Sequence, residues 1–180
     1  MKIVLSPHND DSELFASFTC IRENPLVVVV LRSFVQESRG TGITWQQRET
    51  ETEAALAELG VSDWEQWEFR DDQPDWAAIR DWLADRFPDP EQVYAPAFDL
   101  EGHPHHNAVA EIAGALWPGR VTFYSTYRNG RGRVPTGHPV RVEDGAWILR
   151  KLRALACYES QILEPSTGHH FTAALDEWYQ

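Results

Sequence analysis

Cysteine is scarce: the 180 residues hold two, Cys20 and Cys157, with no CxxC spacing of the kind structural metal sites use. That excludes a disulfide framework and points to a reducing cytoplasm. Basic charge is also short. Sixteen Lys and Arg stand against 28 Asp and Glu, a formal net charge of −12. Such a balance excludes a surface that tracks nucleic-acid phosphates. Long apolar runs are missing too, since the longest, residues 25–31, is far too short to span a bilayer. The N-terminus enters a strand pattern directly and lacks the form of a signal peptide. No repeat, low-complexity tract or linker interrupts the chain. What is present, 42% apolar and 24% charged residues, suits a folded protein with a real core. We read residues 1–180 as a single domain.

Strand and helix signals alternate. Residues 2–6 and 26–32 are short β-branched runs that suit buried parallel strands. Between them, residues 12–23 carry Leu14, Phe15, Phe18 and Ile21 at helical spacing, with Ser12 as a cap. Residues 46–59 predict a helix stopped by Gly60, 64–69 a third strand, and 75–86 a helix ended by Pro88. Residues 92–96 predict a fourth strand, 104–116 a helix, 121–124 a fifth strand and 143–156 a last helix with Ile148, Leu149, Leu152 and Leu155. Residues 33–44 and 129–139 are Gly-rich, polar loops. The expected fold is a doubly wound, mostly parallel five-stranded α/β sheet, order 3-2-1-4-5, with helices on both faces. Four of the eight tryptophans (Trp64, Trp67, Trp76, Trp82) crowd the middle of the chain, with packing as their expected role rather than sugar platforms.

Chemistry concentrates in two segments. Ser6-Pro-His-Asn-Asp-Asp-Ser-Glu13 follows the first strand, and Gly102-His-Pro-His-His-Asn107 follows the fourth. In an order of 3-2-1-4-5 those strands are neighbours, and the ligand crevice lies outside their carboxyl ends. Imidazoles with one or two carboxylates are the usual donors to catalytic zinc. His8, Asp11 and His106 make a three-ligand set that leaves one position open, as catalysis requires. Asp10 is then free to act as general base, and His103 to stabilise an oxyanion or protonate a leaving group. These parts describe metal-assisted hydrolysis of an amide or ester. His105 is expected to point outward or orient a neighbour. His138, His169 and His170 are expected at the surface or rim.

Residues 6–13 resemble the [SA]-x-H-P-D-D-x-E signature of the PIG-L/LmbE-type de-N-acetylases, and His103-Pro-His-His106 followed by Asn-Ala-Val resembles their H-P-D-H-x-A-V motif. Arg48-Glu49 through Ala54-Ala55-Leu56 to Leu59-Gly60, and Lys151 through Ala154-Leu155 to Ser160-Gln161, are similar to two further family segments. The resemblance implies a zinc hydrolase, with iron(II) or another divalent transition metal as an alternative. The implied reaction removes acetyl from an N-acetylglucosamine-type unit of a small glycoconjugate. It gives His8, Asp11 and His106 the metal, Asp10 the proton, His103 the oxyanion, and Arg48 and Asp71 the sugar. Three departures stand out. Asn9 replaces the usual Pro and is expected to keep the turn but loosen it, His105 replaces Asp, and Ala16-Ser17-Phe18 stands where a Gly-Gly pair is common.

Two other functions compete. A phosphorylation-receiver module also sets paired acids after its first strand, but Lys151 falls too late for its lysine and the histidine segment goes unexplained. A catalytically silent sugar-binding homologue is the stronger alternative. The sequence leaves the aglycone and any homo-oligomer open.

Overall fold

The first strand, β1 (Lys2–Ser6), pairs in parallel with β2 (Leu26–Val29) on one side and β4 (Gln92–Pro96) on the other. Further strands β3 (Trp64–Gln66) and β5 (Val121–Tyr124) extend the sheet outward, also in parallel. The computed structural model describes residues 1–128, 132–133, 137–142, 144–163, 171 and 177–180.

The expected α/β fold is present, but the sheet is not five-stranded. Its seven strands are mixed and run β3-β2-β1-β4-β5-β9-β8, because β8 (His138–Pro139) and β9 (Trp178–Tyr179) add antiparallel beyond β5. Both additions are only two residues long and carry no hydrophobic period, which is why sequence pattern passed over them. A separate ribbon joins β6 (Tyr127–Arg128) to β7 (Gly132–Arg133).

Alternation along β1 divides the core between the two faces of the sheet. Val4 joins Leu14, Phe15, Val27, Leu56 and Tyr94 on one face. Ile3 and Leu5 join Val28, Ile79, Leu83, Val93 and Val109 on the other. The first face is covered by α1 (Asp11–Phe15), α2 (Ser17–Glu23), α4 (Trp45–Leu59) and α7 (Gly145–Ala156). The second is covered by α5 (Trp76–Arg86) and α6 (Pro104–Leu116). Short helices α3 (Val35–Ser38) and α8 (Glu159–Ile162) complete the set. Trp67 is buried on the second face, with Trp76 and Trp82 packed beside it, and Trp64 packs on the first.

The helix expected over 12–23 is two helices. It starts at Asp11, so Ser12 lies inside it and donates to Glu13 Oε2 at 2.6 Å instead of capping. The chain leaves helical geometry at Ala16 (φ −135°, ψ 15°). There the fully buried Lys151 and Glu177 meet at 2.8 Å. Lys151 Nζ donates to the Leu14 carbonyl at 2.9 Å, and the Glu177 carboxylate accepts the Phe18 N–H at 3.0 Å. The new helix end is thereby satisfied from outside. On α7 the buried residues are Lys151, Ala154 and Leu155, whereas Ile148, Leu149 and Leu152 face solvent. Glu143, where that helix was expected to start, lies outside the described residues, as do His169 and His170. His138 is exposed, as expected.

Candidate active site

Because β1 and β4 are parallel neighbours, their carboxyl ends open on the same edge of the sheet. The loop after β1 is tied down by Ser6, whose Oγ donates to the His8 carbonyl at 2.7 Å and accepts the Ser12 N–H at 3.0 Å. The loop after β4 closes on Asn107, which accepts the Asp99 N–H at 3.0 Å and donates to the Asp99 carbonyl at 2.7 Å. Gly102 is required in that loop, since a Cβ there would lie 2.9 Å from Asp99 O. Pro104 opens α6 with its φ already set, and His103 caps the helix by accepting the His105 N–H on Nδ1 at 3.2 Å.

These loops bring the two motifs into contact. Asp11 uses both oxygens: Oδ2 lies 3.0 Å from His8 Nδ1 and accepts the His8 N–H at 2.8 Å, while Oδ1 lies 3.1 Å from His106 Nε2. Among the described residues, His8, Asp11 and His106 form a group whose ligand atoms all lie within 4.8 Å of one another. His106 is fully buried, and its Nδ1 is 3.1 Å from Thr126 Oγ1. Although its Nε2 stands 3.1 Å from Asp11 Oδ1, it has no aligned hydrogen-bond partner among the described residues despite complete burial. A buried nitrogen left in this state, facing a carboxylate, is what a divalent metal would satisfy. The donor set fits one.

Electrostatics differ from group to group in the cluster. Burial works against charge on Asp11, yet His106 and then His8 hold its pKa well below the usual carboxylate range. Burial also opposes protonation of His8, but the Asp11 hydrogen bond and charge raise its pKa on balance. Burial first, then charge on neighbouring imidazoles, pushes His103 down to about 2 and His105 down to about 4. Both are therefore neutral near pH 7.

Asp10 faces the other way, with Oδ2 3.1 Å from Arg48 Nη2. Arg48 is only 3% exposed, reaches Glu51 at 3.4 Å and lies over the Tyr158 ring. It is thus not presented to a ligand as directly as the sequence resemblance implies. Asp71 is buried too, and its Oδ1 accepts the Phe34 and Val35 N–H groups at 2.6 and 2.9 Å. Asn9 is the clearest correction. Far from loosening the turn, it is fully buried and donates to Thr52 Oγ1 at 3.0 Å and Gln66 Oε1 at 2.9 Å. Its Oδ1 accepts from Ser33 Oγ at 3.0 Å and Gln66 Nε2 at 3.2 Å. Of the two expectations for His105, the contact fits the second, a hold on a neighbour rather than an outward ring: its Nδ1 is 2.9 Å from His8 Nε2.

Sequence reasoning missed Thr126 and Tyr127, which follow β5. The Tyr127 ring stands 5.3 Å from His106 and 6.3 Å from His103. Adjacency of the fourth and fifth strands was the available signal, because the loop after the fifth must border the same crevice. Trp76, expected only to pack, also reaches the site, 5.7 Å from His105.

A family model described as GlcNAc-PI de-N-acetylase matches residues 3–117, a stretch that contains both motifs. The chain belongs to the PIG-L family. No curated protein matches this PIG-L chain by sequence. Among solved structures it is similar to the A40926 pseudoaglycone deacetylase Dbv21 (20% identity, TM-score 0.70, 89% of this chain and 82% of that one). It is also similar to the N,N'-diacetylchitobiose deacetylase of Pyrococcus horikoshii (16% identity, TM-score 0.66, 99% and 82%). A third similar structure is GalB, the 4-carboxy-2-hydroxymuconate hydratase of Pseudomonas putida (17% identity, TM-score 0.72, 100% and 95%). At these identities the likeness establishes the fold. Two deacetylases and a hydratase share it, so the reaction must be argued from side chains. No helix among the described residues is long and apolar enough to cross a membrane.

Proposed function

We propose that this PIG-L protein is a metal-dependent hydrolase that removes acetyl from an N-acetylglucosamine-type unit of a small glycoconjugate. The observation that carries this reading is the opposite orientation of two adjacent carboxylates. Asp11 faces His8 and His106, while Asp10 faces Arg48. His8, Asp11 and His106 would hold zinc, or iron(II), which supplies Lewis acidity to polarise an amide carbonyl and activate water.

The remaining roles fall to the chain's own groups. Asp10, kept in place by Arg48, accepts the proton of the attacking water and returns it to the departing amine. His103 receives the His105 N–H on Nδ1, so in its neutral form the ring proton sits on Nε2. That N–H is the donor for the oxygen of the tetrahedral intermediate. Arg48 serves as a positioning residue for Asp10, and Asp71 frames the sugar subsite by fixing Phe34 and Val35. Acetate and a free amino sugar leave.

Acetate release from a panel of N-acetylglucosamine conjugates tests the proposal, with metal content measured on the same samples. Wild type releases acetate. Asp10→Ala keeps its metal and loses about 10²–10⁴-fold in turnover, whereas His106→Ala loses the metal shared with His8 and Asp11. Full activity in Asp10→Ala would sink the assignment. A metal-loaded wild type that releases no acetate would favour the silent sugar-binding homologue.

A further inference from the structure

We propose that His8, His103 and His105 form a second, outer site for a zinc-class ion, and that filling it inhibits the enzyme. The inhibition clause rests on the deacetylase reading above; the site itself does not.

Among the described residues, two groups of metal-capable side chains converge, and they share His8. The ring is engaged on both sides, with Nδ1 3.0 Å from Asp11 Oδ2 and Nε2 2.9 Å from His105 Nδ1. The outer group draws its ligand atoms within 4.8 Å of one another, and its three residues are half-buried, which leaves an ion a path in. The rings stand steeply inclined to one another: His8 and His103 lie at 88° with centroids 5.0 Å apart, His103 and His105 at 71° and 4.7 Å. Nitrogens bound to tetrahedral zinc stand about 3.4 Å apart, so small ring rotations suffice. Three imidazoles without a carboxylate select zinc, copper(II) or nickel over magnesium or calcium.

The outer site must be the weaker one. His8 would bridge two ions only as an imidazolate, releasing its last ring proton to solvent. An ion on His103 Nε2 would also require a proton on Nδ1, which ends that atom's acceptance of the His105 N–H. The same ion takes away the Nε2–H that His103 offers the reacting oxygen. Occupancy of the outer site and use of His103 in the reaction are therefore mutually exclusive.

Chelator-stripped protein titrated with zinc chloride against a chromophoric chelator decides the matter. Wild type takes two equivalents, the second at least tenfold more weakly. His105→Ala takes only the first, and so does His103→Asn, chosen because Asn preserves the helix cap. His106→Ala retains one equivalent, the outer ion. Saturation of wild type at one equivalent, or a second equivalent that survives both His105→Ala and His103→Asn, would overturn the proposal. Acetate release falls at least fivefold as the second equivalent binds wild type, and His105→Ala abolishes that zinc-dependent fall. Two equivalents sensitive to His105, with no acetate released from any conjugate, would uphold the outer site and remove the deacetylase reading alone.

Discussion

The Asn9 side chain donates to Gln66 Oε1 at 2.9 Å and accepts from Gln66 Nε2 at 3.2 Å, a reciprocal amide pair between the loop after β1 and the end of β3. With Thr52 and Ser33, it ties the loop after β1 to α4 and to the segment after β2. Thr52 Oγ1 also donates to the Asn9 carbonyl at 2.8 Å, and Tyr158 donates there as well. The family's usual Pro could supply none of the side-chain bonds.

Asn9→Pro, although it restores the common motif, should therefore destabilise this protein by about 2–4 kcal/mol, because Gln66, Thr52 and Ser33 lose buried partners. Urea unfolding monitored by tryptophan fluorescence measures this. A midpoint at or above wild type would show that the amide network contributes nothing.

The buried Lys151–Glu177 pair holds the break between α1 and α2 open. Lys151→Met leaves Glu177 as an uncompensated buried charge and should cost about 3–5 kcal/mol. The double variant Lys151→Met/Glu177→Gln should recover part of that loss, since Gln still accepts the Phe18 N–H. Comparing unfolding free energies of the single and double variants checks the coupling.

Glu13 sets a pH dependence of stability in the metal-free protein. Burial above all raises its pKa from the ordinary 4.5 to about 8. Between those values the folded state holds a proton that the unfolded state has released, so stability is full below about pH 4.5 and is lost as pH rises towards 8. The loss is of order a few kcal/mol. Glu13→Gln should flatten that limb, and thermal unfolding of wild type and variant from pH 4 to 9 reads it directly. An unchanged slope in the variant would assign the limb to other groups.

Thr126 fixes the ring of His106 through Nδ1. Thr126→Val removes that partner while keeping the shape of the side chain. Metal affinity should fall about 10–100-fold with little change in fold, as loss of a ligand's outer hydrogen bond does. Zinc competition with a chelator measures the shift, and unchanged affinity would detach Thr126 from the metal site.

The sequence by itself determined the alternation of strands and helices, and it located the two loops that carry the histidines and aspartates. Both follow from local signals: β-branched runs, helical apolar spacing, Pro104 at a helix start and Gly60 at a helix end. Only the tertiary structure decided which of the clustered groups face each other. The opposite orientation of Asp10 and Asp11 depends on Arg48 from α4 arriving on one side and His106 from α6 on the other. The break at Ala16 depends on Lys151 and Glu177, distant in sequence and brought together only by folding. Asn9 is the sharpest instance. Read along the chain it is a weaker turn residue than proline; in the fold it is a buried amide with four side-chain hydrogen bonds to three partners. Turn preference is a local property, whereas satisfaction of a buried polar group is settled by whatever long-range packing brings to it.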